Sequence, residues 1–343
     1  MNERYPLLKF GAFTVVCLAF TALLVVVIGN ISFDTRSAYA ATFDDIQGLL
    51  TQHGLTLVHQ RPIAEGIENS NFMLEARRAN GIPVALVLTV FETLGTEALP
   101  WFIRLLQGLV HAGLPVAAPL GGAQALMQVA GKPALLVPKL SGSHMQRPDT
   151  SHCASIGALL ARLHRQALPE GATAPDPRQQ LARLFADHAD ALPAEARARA
   201  DTLMARWQAA SPPLVLCHGD LFRDNVLFNG EQLTGVLDFY NAGAASAEYD
   251  IAIAMNDWCV DSEGRPDTAL ETALLDGYQR VRPLDNAARM RLPLALAIAA
   301  LRFWLSRLGA PAREQAIGQG SKDPEEFARL FARRCEALTP SPQ

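Results

Sequence analysis

The spacing of hydrophobic positions changes several times along the chain, and each change predicts an element. The first apolar run, Phe10 to Ile28 (FGAFTVVCLAFTALLVVVI), has nineteen residues, no charge and no amphipathic period. At about 1.5 Å of rise per helical residue it nearly crosses a hydrocarbon layer of roughly 30 Å. Arg4 and Lys9 precede it and Asp34 follows, an order of charge that would leave the rest of the chain outside the cytoplasm. Ala38-Tyr39-Ala40 offers a signal-peptidase site, but the run is long for a cleaved signal and favours an uncleaved hydrophobic helix.

Beyond residue 41 the chain reads as one continuous unit without repeats. A helix is predicted over Phe43 to His53, with Asp44 and Asp45 in its first turn and Gly54 as its stop. Met73 to Ala76, the branched run Val84 to Phe91 (VALVLTVF) and Ala134 to Val137 read as strands. Leu99 to Ala112 is apolar at helical spacing and stops at Gly113-Leu114-Pro115. From Ser151 the pattern becomes helical: Cys153, Ile156, Leu160, Leu163 and His164 share one face, and Gly157 permits close approach by a neighbour. A loop over Leu168 to Pro177 and an Arg- and Ala-rich helix pair to about Ala210 follow. Leu292 to Leu301, bounded by Arg291 and Arg302, is too short to span a bilayer and predicts a core helix.

Composition narrows the function. Half of the 343 residues are hydrophobic, enough for a sizeable core, and the net charge is -4. Without a basic excess, nucleic acid is a poor partner. The five cysteines, Cys17, Cys153, Cys217, Cys259 and Cys335, contain no CxxC pair and predict buried thiols rather than disulfides or zinc.

The chemistry lies in LVLCHGDLFRDNVLFNGEQLTGVLDFYNA. An apolar strand, Leu214 to Cys217, delivers His218-Gly219-Asp220 into a loop that continues to Asn225. Two further strands, Val226 to Phe228 and Leu233 to Leu237, turn at Asn229-Gly230 and end on Asp238. The hairpin brings Asn225 and Asp238 to neighbouring strand ends. Two carboxylates and an amide at one mouth suit Mg²⁺, and a carboxylate left off the metal can accept a proton from a substrate hydroxyl. Each residue alone has an ordinary explanation, since Asp and Asn are common in turns and a lone His is usually a packing residue. The combination H-G-D-x4-N-x12-D is what carries the signal.

This constellation resembles the aminoglycoside-phosphotransferase and choline-kinase branch of the protein-kinase-like fold, an α+β fold of two lobes. The resemblance implies Asp220 as catalytic base, His218 as support for its loop, Asn225 and Asp238 as metal ligands, and ATP with Mg²⁺ as cofactors. HGDLFRDNVLF, LDFYNA, YDIAIAMNDWC (Tyr249 to Cys259) and LRFWLSRL (Leu301 to Leu308) are similar to the homoserine-kinase family of that branch. EGIENSNF, LTVFE, GLPVAAPL, GKPALLVPKLSG and GALLARLH extend the likeness over about residues 41 to 335. It implies phosphoryl transfer from ATP to the hydroxyl of L-homoserine, in threonine biosynthesis, with residues 41–138 as the nucleotide-binding lobe and 139–335 as the catalytic lobe. The same mechanism on another hydroxylated metabolite, such as an aminoglycoside or an amino alcohol, is the alternative.

At the nucleotide end, small polar residues from Gly66 through Asn69, Ser70 and Asn71 precede a predicted strand and could offer N–H groups to phosphate. Val137 to Gly142, with Lys139, matches the lobe connection that meets adenine. Thr89 stands where most kinases carry a phosphate-contacting lysine. A free amino acid needs a cation and an anion, for which Arg223, Asp257, Arg302 and Arg307 are available; Tyr240 and Asn241 are placed to line the pocket. Arg302 and Arg307 read equally well as cations on a solvated helix face. Residues 1–40, through GNISF and YAATFDD, resemble the anchored start of cell-entry proteins, which would give membrane contact through residues 10–28. An exported domain meets almost no ATP, so the kinase reading sets the catalytic body in the cytoplasm. A membrane-anchored binding protein is the reading from another class, and an inactive pseudokinase follows from Thr89 alone.

Overall fold

The computed structural model describes residues 43–338, apart from 64–68, 93, 171–175, 262 and 310–322. The hydrophobic helix over residues 10–28, the cell-entry likeness of residues 1–40, and Gly66 lie outside the described residues.

A five-stranded antiparallel sheet of order β1-β2-β3-β5-β4 forms the first layer. Its strands are β1 (Leu55–Ile63), β2 (Asn69–Arg78), β3 (Pro83–Phe91), β4 (Met127–Val129) and β5 (Lys132–Pro138). The alternation in β3 is the reason for its two-sided role: Leu86, Leu88 and Val90 are buried, while Ala85, Val87 and Thr89 are less so. The buried set packs with Leu74, Leu136, Ile46 and Leu50 beneath helix α1 (Phe43–Thr51). Phe91 and Leu135, of the opposite parity, pack with Leu99 and Ile103 of helix α2 (Leu99–His111).

The strand predicted from Met73 begins four residues earlier. Asn69, Ser70 and Asn71 are already paired with Phe91, Val90 and Thr89, so they belong to the ladder rather than to a turn before it. Strand β1 was invisible to the pattern because its outer half, from Val58 to Ile63, is largely exposed on a sheet edge.

Helices build the second layer. They are α3 (Thr150–Leu163), α4 (Pro177–His188), α5 (Ala194–Ala209), α6 (Ala247–Trp258), α7 (Thr268–Val281), α8 (Asn286–Gly309) and α9 (Pro324–Glu336). Gly157 of α3 does permit close approach, because a Cβ there would overlap the backbone of Leu274 in α7. Helix α8 is the hub, packed by α4, α5, α6 and α9. It is more than twice the length predicted: Arg291 and Arg302 lie inside it rather than at its ends. Partners supplied by the tertiary structure make this tolerable, since Arg291 pairs with the buried Glu248 of α6. By length and composition α8 is apolar enough to cross a membrane, yet 67% of its apolar window is buried inside the protein. Each fully buried Leu or Ile there contributes about 1.5–3 kcal/mol, so its apolar character is spent on the core.

Candidate active site

Short strands and the loops after them assemble the site. Strand β7 (Leu214–Cys217) pairs antiparallel with β10 (Gly243–Ser246) and releases His218-Gly219-Asp220 from its end. Strands β8 (Val226–Asn229) and β9 (Gln232–Val236) form the predicted hairpin, with β6 (Ser143–His144) on its flank. Leu237 N donates to Asn225 O at 2.8 Å, which sets Asn225 and Asp238 at adjacent hairpin ends. The three predicted strands do not share one sheet, because β7 pairs with β10 instead. Loop hydrogen bonds, rather than strand pairing, therefore carry Asp220 to the hairpin.

Asn225 makes that connection. Its Nδ2 donates to Asp220 O at 2.8 Å and lies 3.3 Å from Asp220 Oδ2. With the amide nitrogen committed, Oδ1 is the atom of Asn225 left to coordinate a cation. Asp238 follows in the left-handed region, φ 56°, an unusual conformation for a residue with a side chain. An amide oxygen and a carboxylate at adjoining positions form a hard donor set that fits a divalent cation such as Mg²⁺.

His218 is fully buried, and both ring nitrogens are assigned by their neighbours. Nε2 donates to Leu237 O at 2.8 Å, and Nδ1 accepts from Asp220 N at 3.2 Å. Burial holds its pKa below the ordinary histidine range, so the ring is neutral. It ties the Asp220 loop to the strand that ends at Asp238.

The same loop is held from below by Asp250 of α6, a residue the sequence reading passed over. Asp250 is fully buried; its Oδ2 accepts from His218 N and its Oδ1 from Gly219 N, both at 2.8 Å. His164 Nε2 reaches Oδ2 at 3.1 Å, while His164 Nδ1 lies 2.9 Å from Tyr278 Oη, which accepts from Arg282. Burial alone would raise the Asp250 pKa, but the hydrogen bond and field of His164 and the Gly219 amide outweigh it and hold it low. The available signal was a carboxylate inside the otherwise apolar YDIAIA. Cys217 also lies beside His164 and Asp250, but burial raises its thiol pKa and it donates to Ser246 O, so no metal centre is read there.

The candidate substrate residues are placed differently from one another. Arg302 is not on a solvated face: it is 6% exposed and donates to Gly219 O and, at 3.2 Å, to Asn241 Oδ1. Arg307 makes an ion pair, 2.8 Å from Glu326, with its own side chain only 12% exposed. Tyr240 sets its ring edge-on to Phe91 and Phe102, at 4.8 and 5.5 Å between centroids, and so joins the sheet layer to the helical layer. Burial and the nearby Asp238 charge raise its pKa and keep the phenol protonated. Asp257, at the end of α6, binds Arg223 through the backbone N (2.7 Å) and through Nε and Nη2 (3.2 Å each).

At the nucleotide end, the side chains of Asn71 and Thr89 share one hydrogen bond of 2.7 Å on the less buried face of the sheet. The polar trio of Ser70, Glu92 and Lys132 continues the opposite parity, that of Leu74, Leu88 and Leu136. Lys132 is therefore on the wrong face to replace a phosphate lysine at Thr89. Within the predicted lobe connection, Val137 to Gly142, the backbone groups of Val137 and Lys139 are taken up by the sheet. Val137 pairs with Val87, and Lys139 N donates to Ala85 O at 2.9 Å, so both turn their N–H groups into the sheet. The alternation gives the outward backbone groups to Pro138 and Leu140.

Residues 59–284 match the model of the phosphotransferase enzyme family. The chain belongs to that family. Among curated relatives of this phosphotransferase, the homoserine kinase of Pseudomonas aeruginosa strain LESB58 is 40% identical, over 80% of this chain and 88% of the relative. The homoserine kinase of Janthinobacterium sp. strain Marseille is 36% identical, over 87% and 96%. Solved structures share the fold. Amicoumacin kinase in complex with AMP-PNP, Ca²⁺ and its antibiotic has a TM-score of 0.60 at 16% identity, covering 88% of this chain and 98% of that one. The macrolide 2'-phosphotransferase of Brachybacterium faecium gives 0.55 at 22% identity, over 88% and 100%. The α+β, two-lobed, kinase-like architecture is thus that of the phosphotransferases. The likeness of residues 1–40 to cell-entry proteins finds no support in these relatives.

Proposed function

We propose that this phosphotransferase is an ATP-dependent kinase that phosphorylates the side-chain hydroxyl of L-homoserine to O-phosphohomoserine. The observation that carries the reading is the Asp220–Asn225–Leu237 linkage, which joins a carboxylate to two hard oxygen donors at one loop cluster. Homology to curated homoserine kinases over more than four-fifths of the chain supports the acceptor. Asp220 holds the proton-accepting carboxylate; Asn225 Oδ1 and Asp238 hold Mg²⁺, which when bound neutralises charge on the nucleotide phosphates. His218 and Asp250 keep the loop in place. Asn71 and Thr89 face the phosphates with neutral groups. Pro138 O and Leu140 N meet adenine, and the chain divides near Pro138 into a nucleotide lobe and a catalytic lobe.

For the acceptor, Asp257 and Arg223 form the charged pair nearest to Asp220 in the chain that keeps partial exposure, with side chains 15% and 29% exposed. They suit the ammonium and carboxylate of an amino acid. ADP release measured over hydroxylated amino acids, amino alcohols, aminoglycosides and sugars tests the reading. Homoserine is expected to give the highest kcat/KM; a higher value for an aminoglycoside or choline would move the enzyme to the alternative acceptor class. Residues 10–28 are proposed as a membrane contact for an otherwise cytoplasmic enzyme. Fractionation of the full chain checks this, since recovery wholly in the supernatant removes the anchor.

A further inference from the structure

Arg302 stands where the base-bearing loop meets the loop that follows the second carboxylate. It rises from the middle of α8 and is 6% exposed. Its Nη1 donates to the carbonyl of Gly219, the residue before Asp220, and its Nη2 to Asn241 Oδ1, three residues beyond Asp238. The Phe303 ring, 4.7 Å from the guanidinium carbon, covers part of the group. The two loops also touch directly. Gly219 has φ +79°, and a Cβ there would overlap Asn241 O.

A guanidinium is a planar fork whose N–H groups reach two acceptors at a fixed separation, which a flexible ammonium does not reproduce. Arg302 thus holds one acceptor on each loop, and the Tyr249 phenol is a further hydrogen-bonding neighbour of the guanidinium. We infer that Arg302 is a positioning residue that couples the two loops, so that the base Asp220 and the cation ligand Asp238 hold one register. This assigns it no contact with the acceptor, and it rests on the reading of the site as a metal-nucleotide centre.

The test is calorimetric titration of full-length protein with AMP-PNP, with and without Mg²⁺, for wild type, Arg302→Lys, Asn241→Ala and the double variant. The affinity gained from Mg²⁺ is expected to fall about tenfold in each single variant, the size typical of losing a residue that orients metal ligands. The double variant is expected to lose no more than either single one, because both cut the same link. Activity with homoserine should fall through kcat, with KM little changed.

An Mg²⁺ gain preserved in both single variants, or losses that multiply in the double variant, would overturn the proposal. Should Arg302→Lys fail to fold, Asn241→Ala decides alone, by the same loss or preservation of the gain. If wild type itself gains nothing from Mg²⁺, the metal-nucleotide reading falls and takes the proposal with it. Failure of homoserine alone as acceptor leaves the binding result to stand or fall separately.

Discussion

Asp220→Ala is expected to lower kcat with homoserine by ~10²- to 10⁴-fold, the range typical of removing a general base or acid. The thermal unfolding midpoint should change little. The reason lies in what holds the loop. Its backbone is fastened by Asp250 on the His218 and Gly219 amides and by Arg302 on the Gly219 carbonyl. The Asp220 backbone itself makes the bonds to His218 and Asn225, and these survive truncation of the side chain. Asp220→Asn keeps a side-chain oxygen for Asn225 and should be nearly as inactive, because an amide does not accept the hydroxyl proton. Turnover and melting measured together check this; undiminished turnover in either variant would remove Asp220 as the base.

Asp250→Ala is expected to cost about 3–5 kcal/mol of unfolding free energy, as breaking a buried charged network does. It leaves His164 Nε2 and the amides of His218 and Gly219 without their acceptor in a site closed to water. Against a typical total of about 5–15 kcal/mol, that loss leaves little margin. Asp250→Asn, which retains one acceptor oxygen, is the informative variant and should fold with reduced stability.

The pH dependence follows from the depressed Asp250 pKa. A carboxylate whose folded pKa lies below its unfolded value of about 3.9 stabilises the fold above that pH and loses the contribution as the pH falls toward the folded value. Urea midpoints followed downward from pH 5 should therefore decline more steeply for wild type than for Asp250→Asn. Parallel declines would show that Asp250 is not held ionised by this network.

Local pattern was legible where local physics decides. The branched strand β3, the stop of α2 at Gly113 and the Asn229-Gly230 hairpin depend on neighbours in the chain, and they were readable without coordinates. So was H-G-D-x4-N-x12-D, because its spacing follows from one loop and one two-stranded turn. Exposed β1 was not legible, since an edge strand open to water needs no alternation. Nor was the length of α8, whose internal arginines look like boundaries until Glu248, Gly219 and Asn241 supply their partners.

The sequence by itself determined the α+β elements around a hydrophobic core, the three polar residues of the candidate centre and the likeness to small-molecule kinases. Only the tertiary structure decided which groups are already committed. It placed Asp250 beneath the His218–Asp220 loop, put Arg302 inside rather than on the surface, and set Lys132 on the far face of the sheet. The physical reason is that a spacing motif fixes separations along the chain, whereas the partner of a buried charge comes from a distant segment. His164 and Asp250 are 86 residues apart in sequence, and Arg302 and Gly219 are 83 apart.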